Sequence, residues 1–171
     1  MDLNEFFAQN DRVAIAFSGG VDSSYLLYAA GKAGVSAKGY FVKSEFQPAS
    51  EVEDAKKIAA YAGVEMEIIR CSILDAPKIV ENDESRCYFC KKKIFSHIQE
   101  KAKADGFTII LDGTNASDDI SDRPGYRVLQ EMKVLSPLRI CGLTKEQIRK
   151  RSKEAGLTTW DKPSYSCLAT R

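Results

Sequence analysis

The sequence predicts an α/β fold: a doubly wound, mostly parallel, five-stranded sheet with helices on both faces, in a single domain over residues 1–171. Three observations predict it. Short apolar runs rich in β-branched residues alternate along the chain with longer segments of helical spacing. Glycines close those helical segments. A hydrophobic content of 44% with 29% charged residues suits one domain with its own core. Strands alternating with helices imply βαβ units, and such sheets bind ligands beyond the carboxyl ends of their strands.

The elements follow in order. Arg12-Val13-Ala14-Ile15-Ala16-Phe17 is a buried strand ended by Gly19-Gly20. Residues 23–33 are apolar on every side without a breaker, so a buried helix is expected, closed by Gly34. Residues 37–42 form the second strand. Val52, Ala55, Ile58, Ala59 and Ala62 have helical spacing, and Gly63 stops that helix. Residues 66–69 form the third strand, and a helix is expected from about Cys87 to Ala104. Thr108-Ile109-Ile110-Leu111 is the fourth strand and Met132-Lys133-Val134-Leu135 the fifth. Residues 144–155 are the last helix, capped by Thr144 and ended by Gly156. Residues 44–50 and 115–125 read as loops, the usual carriers of function.

Composition excludes several classes. The net charge is +1, so no global field draws the chain onto nucleic acid. Lys91-Lys92-Lys93 and Arg149-Lys150-Arg151 are solvated helix faces or, alternatively, a local RNA footprint. No apolar run approaches the roughly 18 residues of a membrane span. Met1-Asp2-Leu3-Asn4-Glu5 lacks the layout of a secretory leader. Five cysteines, an odd number, argue against a disulfide framework and for a reducing, cytoplasmic setting.

The most informative segment is Ser18-Gly19-Gly20-Val21-Asp22-Ser23-Ser24, between the first strand and the first helix. Its glycines permit a sharp turn and a close backbone approach to a ligand. Free N–H groups at a helix start, together with the helix dipole, make an anion site. Ser18, Ser23 and Ser24 add hydroxyl donors. Asp22 is unusual beside an anion, and a bridging magnesium ion or helix capping would account for it. Neither G-x-x-x-x-G-K-[ST] nor G-x-G-x-x-G occurs. Ser44 and Asp112-Gly113-Thr114-Asn115 fall at the carboxyl ends of other strands. Asp118, Asp119 and Asp122 are magnesium candidates or ordinary turn residues.

Cys87-Tyr88-Phe89-Cys90 opens the fourth helical segment, where two cysteines three apart share a face. The spacing is compatible with zinc, an iron–sulfur cluster or redox pairing. Cys167 follows Lys162-Pro163-Ser164-Tyr165-Ser166, a turn-like context. Cys71 and Cys141 read as structural cysteines, and His97, the only histidine, as a helix-face residue.

Ser18–Ser24 resembles the PP-loop of the ATP pyrophosphatases, pattern S-G-G-x-D-S, which implies the adenine nucleotide alpha-hydrolase-like fold. It also implies ATP and Mg2+ as cofactors. A substrate oxygen attacks the α-phosphate, an adenylated substrate forms and pyrophosphate leaves. Ser18, Gly19, Gly20, Val21, Asp22, Ser23, Ser24, Ser44, Gly113, Thr114 and Asn115 are the ATP or pyrophosphate contacts expected.

More of the chain resembles one branch, the LarE-type sulfur transferases of nickel-pincer cofactor synthesis. The matching segments are Arg86–Lys91, Gly113–Ala116 with Arg123-Pro124-Gly125, Ser136-Pro137-Leu138 with Leu143-Thr144-Lys145, and Lys162–Arg171. The resemblance is to the three-cysteine kind. It implies that Cys87, Cys90 and Cys167 hold a [4Fe–4S] cluster, with zinc as the alternative metal. Cys167, Cys87, Cys90 and Asp22 are then the catalytic candidates. The implied substrate is a nucleotide-like pyridinium carboxylate, with sulfide or another sulfur donor. Arg123, Arg127 and Trp160 are the candidate substrate contacts, with core packing the alternative for Trp160. The family extends into a further C-terminal region, so a short member, a shortened chain, a second chain or a homo-oligomer supplying that region is expected. The alternatives are a tRNA-thiolating enzyme, an ammonia-using amidotransferase-type enzyme and a non-catalytic half of a two-chain enzyme.

Overall fold

Strand β1 (Arg12–Ala16) lies inside a parallel sheet with β2 (Ser36–Lys43) on one side and β4 (Ile110–Leu111) on the other. Strand β3 (Glu65–Arg70) pairs with the outer side of β2, giving the order β3-β2-β1-β4. The computed structural model describes residues 1–43, 48–72, 86–120 and 124–163. The β1 residues Val13, Ala14 and Ile15 are fully buried, as expected of a parallel strand covered on both faces.

Seven α-helices are described: α1 (Leu3–Gln9), α2 (Val21–Ala33), α3 (Ala49–Ala62), α4 (Arg86–Ala104), α5 (Pro124–Glu131), α6 (Pro137–Ile140) and α7 (Lys145–Glu154), followed by a 3-10 turn (Thr158–Asp161). They form two layers. On one face Val13, Ile15 and Phe41 pack against Phe7, Leu26, Leu27, Ile58 and Ile148. On the other face Ala14, Tyr40 and Val42 pack against Phe95, Ile98 and Leu129. Alternate side chains of one strand therefore feed two cores, and the fold is doubly wound as expected.

The fifth expected strand is reduced to one parallel bridge, Leu111 to Leu135. Two backbone bonds make it: Asp112 N donates to Leu135 O at 3.0 Å and Leu135 N to Ile110 O at 2.9 Å. Helix α5 runs to Glu131, Lys133 turns the chain with φ 57°, and Pro137 opens α6, so little extended chain remains between them. Helix α7 begins as the sequence indicates. Thr144 and Gln147 form a capping box, with Thr144 N donating to Gln147 Oε1 at 3.0 Å. Among the described residues, no helix is long and apolar enough to cross a membrane.

The winding direction locates the crevice. From β1 the chain moves out through β2 to β3, then returns to place β4 on the opposite side of β1. The carboxyl ends of β1 and β4 flank this reversal, where sheets of this type open a ligand crevice.

Candidate active site

Residues 18–24 leave β1 at that crevice and turn directly into α2, whose N-cap is Gly20. Gly19 adopts φ +80°, a left-handed conformation that L side chains rarely take. The serines brace the turn from inside. Ser18 N donates to Ser23 Oγ at 3.1 Å, the two hydroxyls lie 3.1 Å apart, and Gly20 N reaches Ser18 Oγ at 3.4 Å. Ser18 is exposed, whereas Ser23 and Ser24 are buried. No side chain caps α2, so its first amides stay available to an anion.

The loop after β4 closes over the start of α2. A Cβ on Gly113 would lie 3.0 Å from Ser23 N and 3.2 Å from Asp22 Cβ, so a side chain there would push the two loops apart by a few tenths of an ångström. Asp112 anchors its own loop, accepting hydrogen bonds from Thr114 Oγ1 and Ser136 Oγ, each at 2.6 Å. Asn115 is fully buried. Its Oδ1 accepts from Ser117 N at 2.7 Å and its N donates to Asp118 Oδ2 at 2.9 Å. Arg139 Nη1 ties this loop to α6 through the carbonyls of Asn115 and Asp118.

Asp22 has an unusual environment. Lys145, the first residue of α7, places Nζ 2.5 Å from Asp22 Oδ2. Asp22 Oδ1 is buried without a hydrogen-bond partner. Asn115 Nδ2 lies near this carboxyl without completing hydrogen-bond geometry and has no other partner. Burial pushes the Asp22 pKa above the ordinary carboxylate value, Lys145 pulls it back in part, and Asp118 adds to the rise. A second lysine approaches the turn, with Lys162 Nζ donating to Gly19 O at 3.1 Å.

Asp22, Ser23, Gly113 and Asn115 thus come together, with Thr114 held on Asp112. Ser44, Arg123 and Cys167 lie outside the described residues, as does Asp122. Cys87 and Cys90 occupy the first turn of α4; the Cys87 side chain also lies outside them. Cys90 is half-buried beside the second core, and Cys71 is buried within it. Cys141 packs on the first core, where burial pushes its thiol pKa up. Cys141 and Cys90 therefore pack against opposite faces of the sheet. Arg127 sits over the Tyr88 ring at 4.6 Å and beside Glu131. Trp160 is partly exposed under Lys153, whose Nζ lies 4.6 Å from the ring centre. Neither side chain has a described contact with the loop.

Sequence reasoning missed Lys145 and Lys162 as loop contacts. A signal existed for Lys145: a lysine opening a helix sits against the positive end of its dipole, so an acidic partner elsewhere was to be expected.

A family model for asparagine synthase matches residues 7–156. The chain belongs to the asparagine synthase family. It is thereby a member of the PP-loop ATP pyrophosphatase superfamily of enzymes, whose use of ATP fits the open helix start at Gly20. An uncharacterized protein of Synechocystis sp. is 35% identical over 99% of the chain, which spans 64% of that relative. A pyridinium-3,5-bisthiocarboxylic acid mononucleotide synthase of Lactiplantibacillus plantarum is 29% identical over 94% of the chain and 59% of its own length. A tRNA-specific 2-thiouridylase of Thermotoga petrophila is 27% identical over 85% of the chain and 52% of its length. The chain therefore spans less than two thirds of each of these relatives. Its fold is that of the NMN synthetase of Francisella tularensis, with a TM-score of 0.74 at 15% identity over 97% of this chain and 74% of that one.

Proposed function

We propose that this chain is the nucleotide-binding part of an ATP-dependent sulfur transferase that activates a substrate carboxylate as its adenylate. The observation that carries the reading is the Ser18–Ser24 turn opening α2 at the reversal between β1 and β4, with two lysines converging on it. The amides that start α2, together with the Ser18 hydroxyl, hold the leaving pyrophosphate and stabilise its charge. A carboxylate oxygen of the substrate attacks the α-phosphorus, and the bond to pyrophosphate breaks. Sulfide then adds to the acyl carbon, and AMP leaves with that oxygen, giving a thiocarboxylate. Two similar proteins named for sulfur-containing products support the second half of this reading.

The residues present fit a magnesium ion, because Asp22 Oδ1 is a buried acceptor with no protein partner. They also fit a sulfur-carrying cluster in donor chemistry: Cys87 and Cys90 lie one turn apart at the start of α4, and Cys167 supplies a third thiol in the sequence. Cys87, Cys90 and Cys167 would hold such a [4Fe–4S] cluster, and the chemistry it would supply is delivery of sulfide.

Pyrophosphate release from ATP by this chain, with a pyridine carboxylate mononucleotide and sulfide present, tests the first half. Iron and acid-labile sulfide in anaerobically prepared protein test the second. Release that persists with ammonia after Cys87, Cys90 and Cys167 are replaced by serine would convert the assignment to an amidotransferase-type enzyme. Release dependent on tRNA would make it a thiouridylase-type enzyme. No release with any substrate would leave a non-catalytic nucleotide-binding half.

A further inference from the structure

We propose that Lys162 is a positioning residue for the pyrophosphate site, acting through the backbone of the loop rather than by its own contact with phosphate. The inference rests on the reading of Ser18–Ser24 as that site and adds a residue to it. Lys162 lies 143 positions from Gly19 in sequence, yet its Nζ donates to the Gly19 carbonyl at 3.1 Å in a partly buried setting.

The Lys162 backbone is fixed before its side chain reaches out. Its N–H donates to Thr159 O at 2.9 Å, closing the 3-10 turn. Its carbonyl accepts from Arg149 Nη1 at 2.8 Å, and the same nitrogen holds the Trp160 carbonyl at 2.9 Å. Thr159 beneath is buried. An α7 residue and the 3-10 turn thus aim this lysine from an anchored base.

A peptide unit is planar and trans, so a carbonyl and the following N–H point in opposite directions. An ammonium holding Gly19 O therefore also fixes the direction of Gly20 N–H. That amide belongs to the α2 N-cap and reaches only Ser18 Oγ, at a long 3.4 Å. It is weakly engaged and sits at the helix start, where amides bind anions. Gly19, at φ +80° and without a Cβ, has little of its own to resist rotation of the peptide that follows. Lys162 supplies the restraint that the glycine pair lacks.

Positioning and direct charge attraction predict different outcomes for two neutral variants. Lys162→Met removes both donor and charge, whereas Lys162→Gln removes the charge and keeps an N–H donor near Gly19 O. The measurement is calorimetric titration of the whole chain with inorganic pyrophosphate and with ATP, alongside circular dichroism to confirm the fold. The expected result is pyrophosphate binding about five- to tenfold weaker in Lys162→Met, the worth of one hydrogen bond. Lys162→Gln should recover most of that loss, and Lys162→Arg should bind like wild type. In steady state the Met variant should raise KM for ATP more than it lowers kcat. Equal binding by wild type and Lys162→Met overturns the inference and leaves the site reading intact. A Gln variant as weak as the Met variant also overturns it, in favour of direct charge contact. Wild-type protein that binds neither pyrophosphate nor ATP overturns both.

Discussion

Removing Lys145 and removing Asp22 should have unequal effects on stability, although the two side chains form one ion pair. Their nitrogen and oxygen lie 2.5 Å apart, with side-chain exposures of 29% and 21%. Lys145→Met leaves a half-buried carboxylate whose second oxygen already lacks a partner. Stranding a fully buried charge costs about 3–5 kcal/mol, so about 2 kcal/mol is expected at this depth. For a domain of this size that lowers Tm by roughly 4–8 °C. Asp22→Asn instead removes the charge that burial opposes, while Lys145 is exposed enough to turn to water, so its cost stays below about 1 kcal/mol. The pH dependence has a definite sign. The folded Asp22 pKa is raised above the ordinary 3.8, so its contribution to stability is full below that value and is lost as pH rises through the folded pKa. Asp22→Asn lacks this loss and gains on wild type between pH 4 and 7. Urea unfolding of wild type, both single variants and the double variant, in EDTA at both pH values, measures each term and the coupling. Equal losses for the two single variants, with an additive double variant, would refute this account of the pair.

Three further outcomes follow from other contacts. Gly113→Ala places a Cβ 3.0 Å from Ser23 N, so about 1–3 kcal/mol of stability and much of the pyrophosphate affinity should be lost together, measured by urea unfolding and calorimetry. Gly31→Ala brings its Cβ to 2.3 Å from Ala62 O at the crossing of α2 and α3; it should lower the urea midpoint by a similar free energy through separation of those helices. Lys38 Nζ holds Glu67 at 3.0 Å and Asp105 at 2.9 Å, and Tyr40 also donates to Asp105. Hydrogen bonds from Lys38 to Glu67, and from Tyr40 then Lys38 to Asp105, hold both carboxyl pKa values below the ordinary range. Their contribution is present above the unfolded pKa and is lost as pH falls through the folded values, so Lys38→Met should flatten the fall in urea midpoint between pH 5 and 3.

The legible parts of this protein are those whose signal is local. The run Val13-Ala14-Ile15, the glycine pair after it and Thr144 before α7 each act within a few residues, and each sits where the pattern indicates. Helix α1 went unread because seven residues are two turns, too short for periodicity, although Asp2 caps it by accepting from Glu5 N at 2.8 Å. Helix α5 lay partly inside a segment read as loop up to Gly125; Pro124 there opens a helix rather than extending a turn. Which residues the two loop lysines would meet was illegible for another reason. Their partners lie 123 and 143 positions away, and no window along the sequence joins them.

Those distant contacts explain how an acidic residue is tolerated in an anion site. Asp22 lies in the first turn of α2, where the dipole favours a negative charge. Lys145 lies in the first turn of α7, where the dipole disfavours its positive charge. Pairing the two relieves Lys145 and neutralises Asp22, so the carboxylate does not repel an anion at the neighbouring amides. The attraction then comes from the oriented backbone at Gly20 and Val21 more than from net side-chain charge, which suits a chain whose overall charge is only +1. Backbone donors act only when their directions are held. The Lys162 bond to Gly19 O, the Ser18–Ser23 hydroxyl contact and the Gly113 approach to Ser23 supply that hold from three separate segments of the chain.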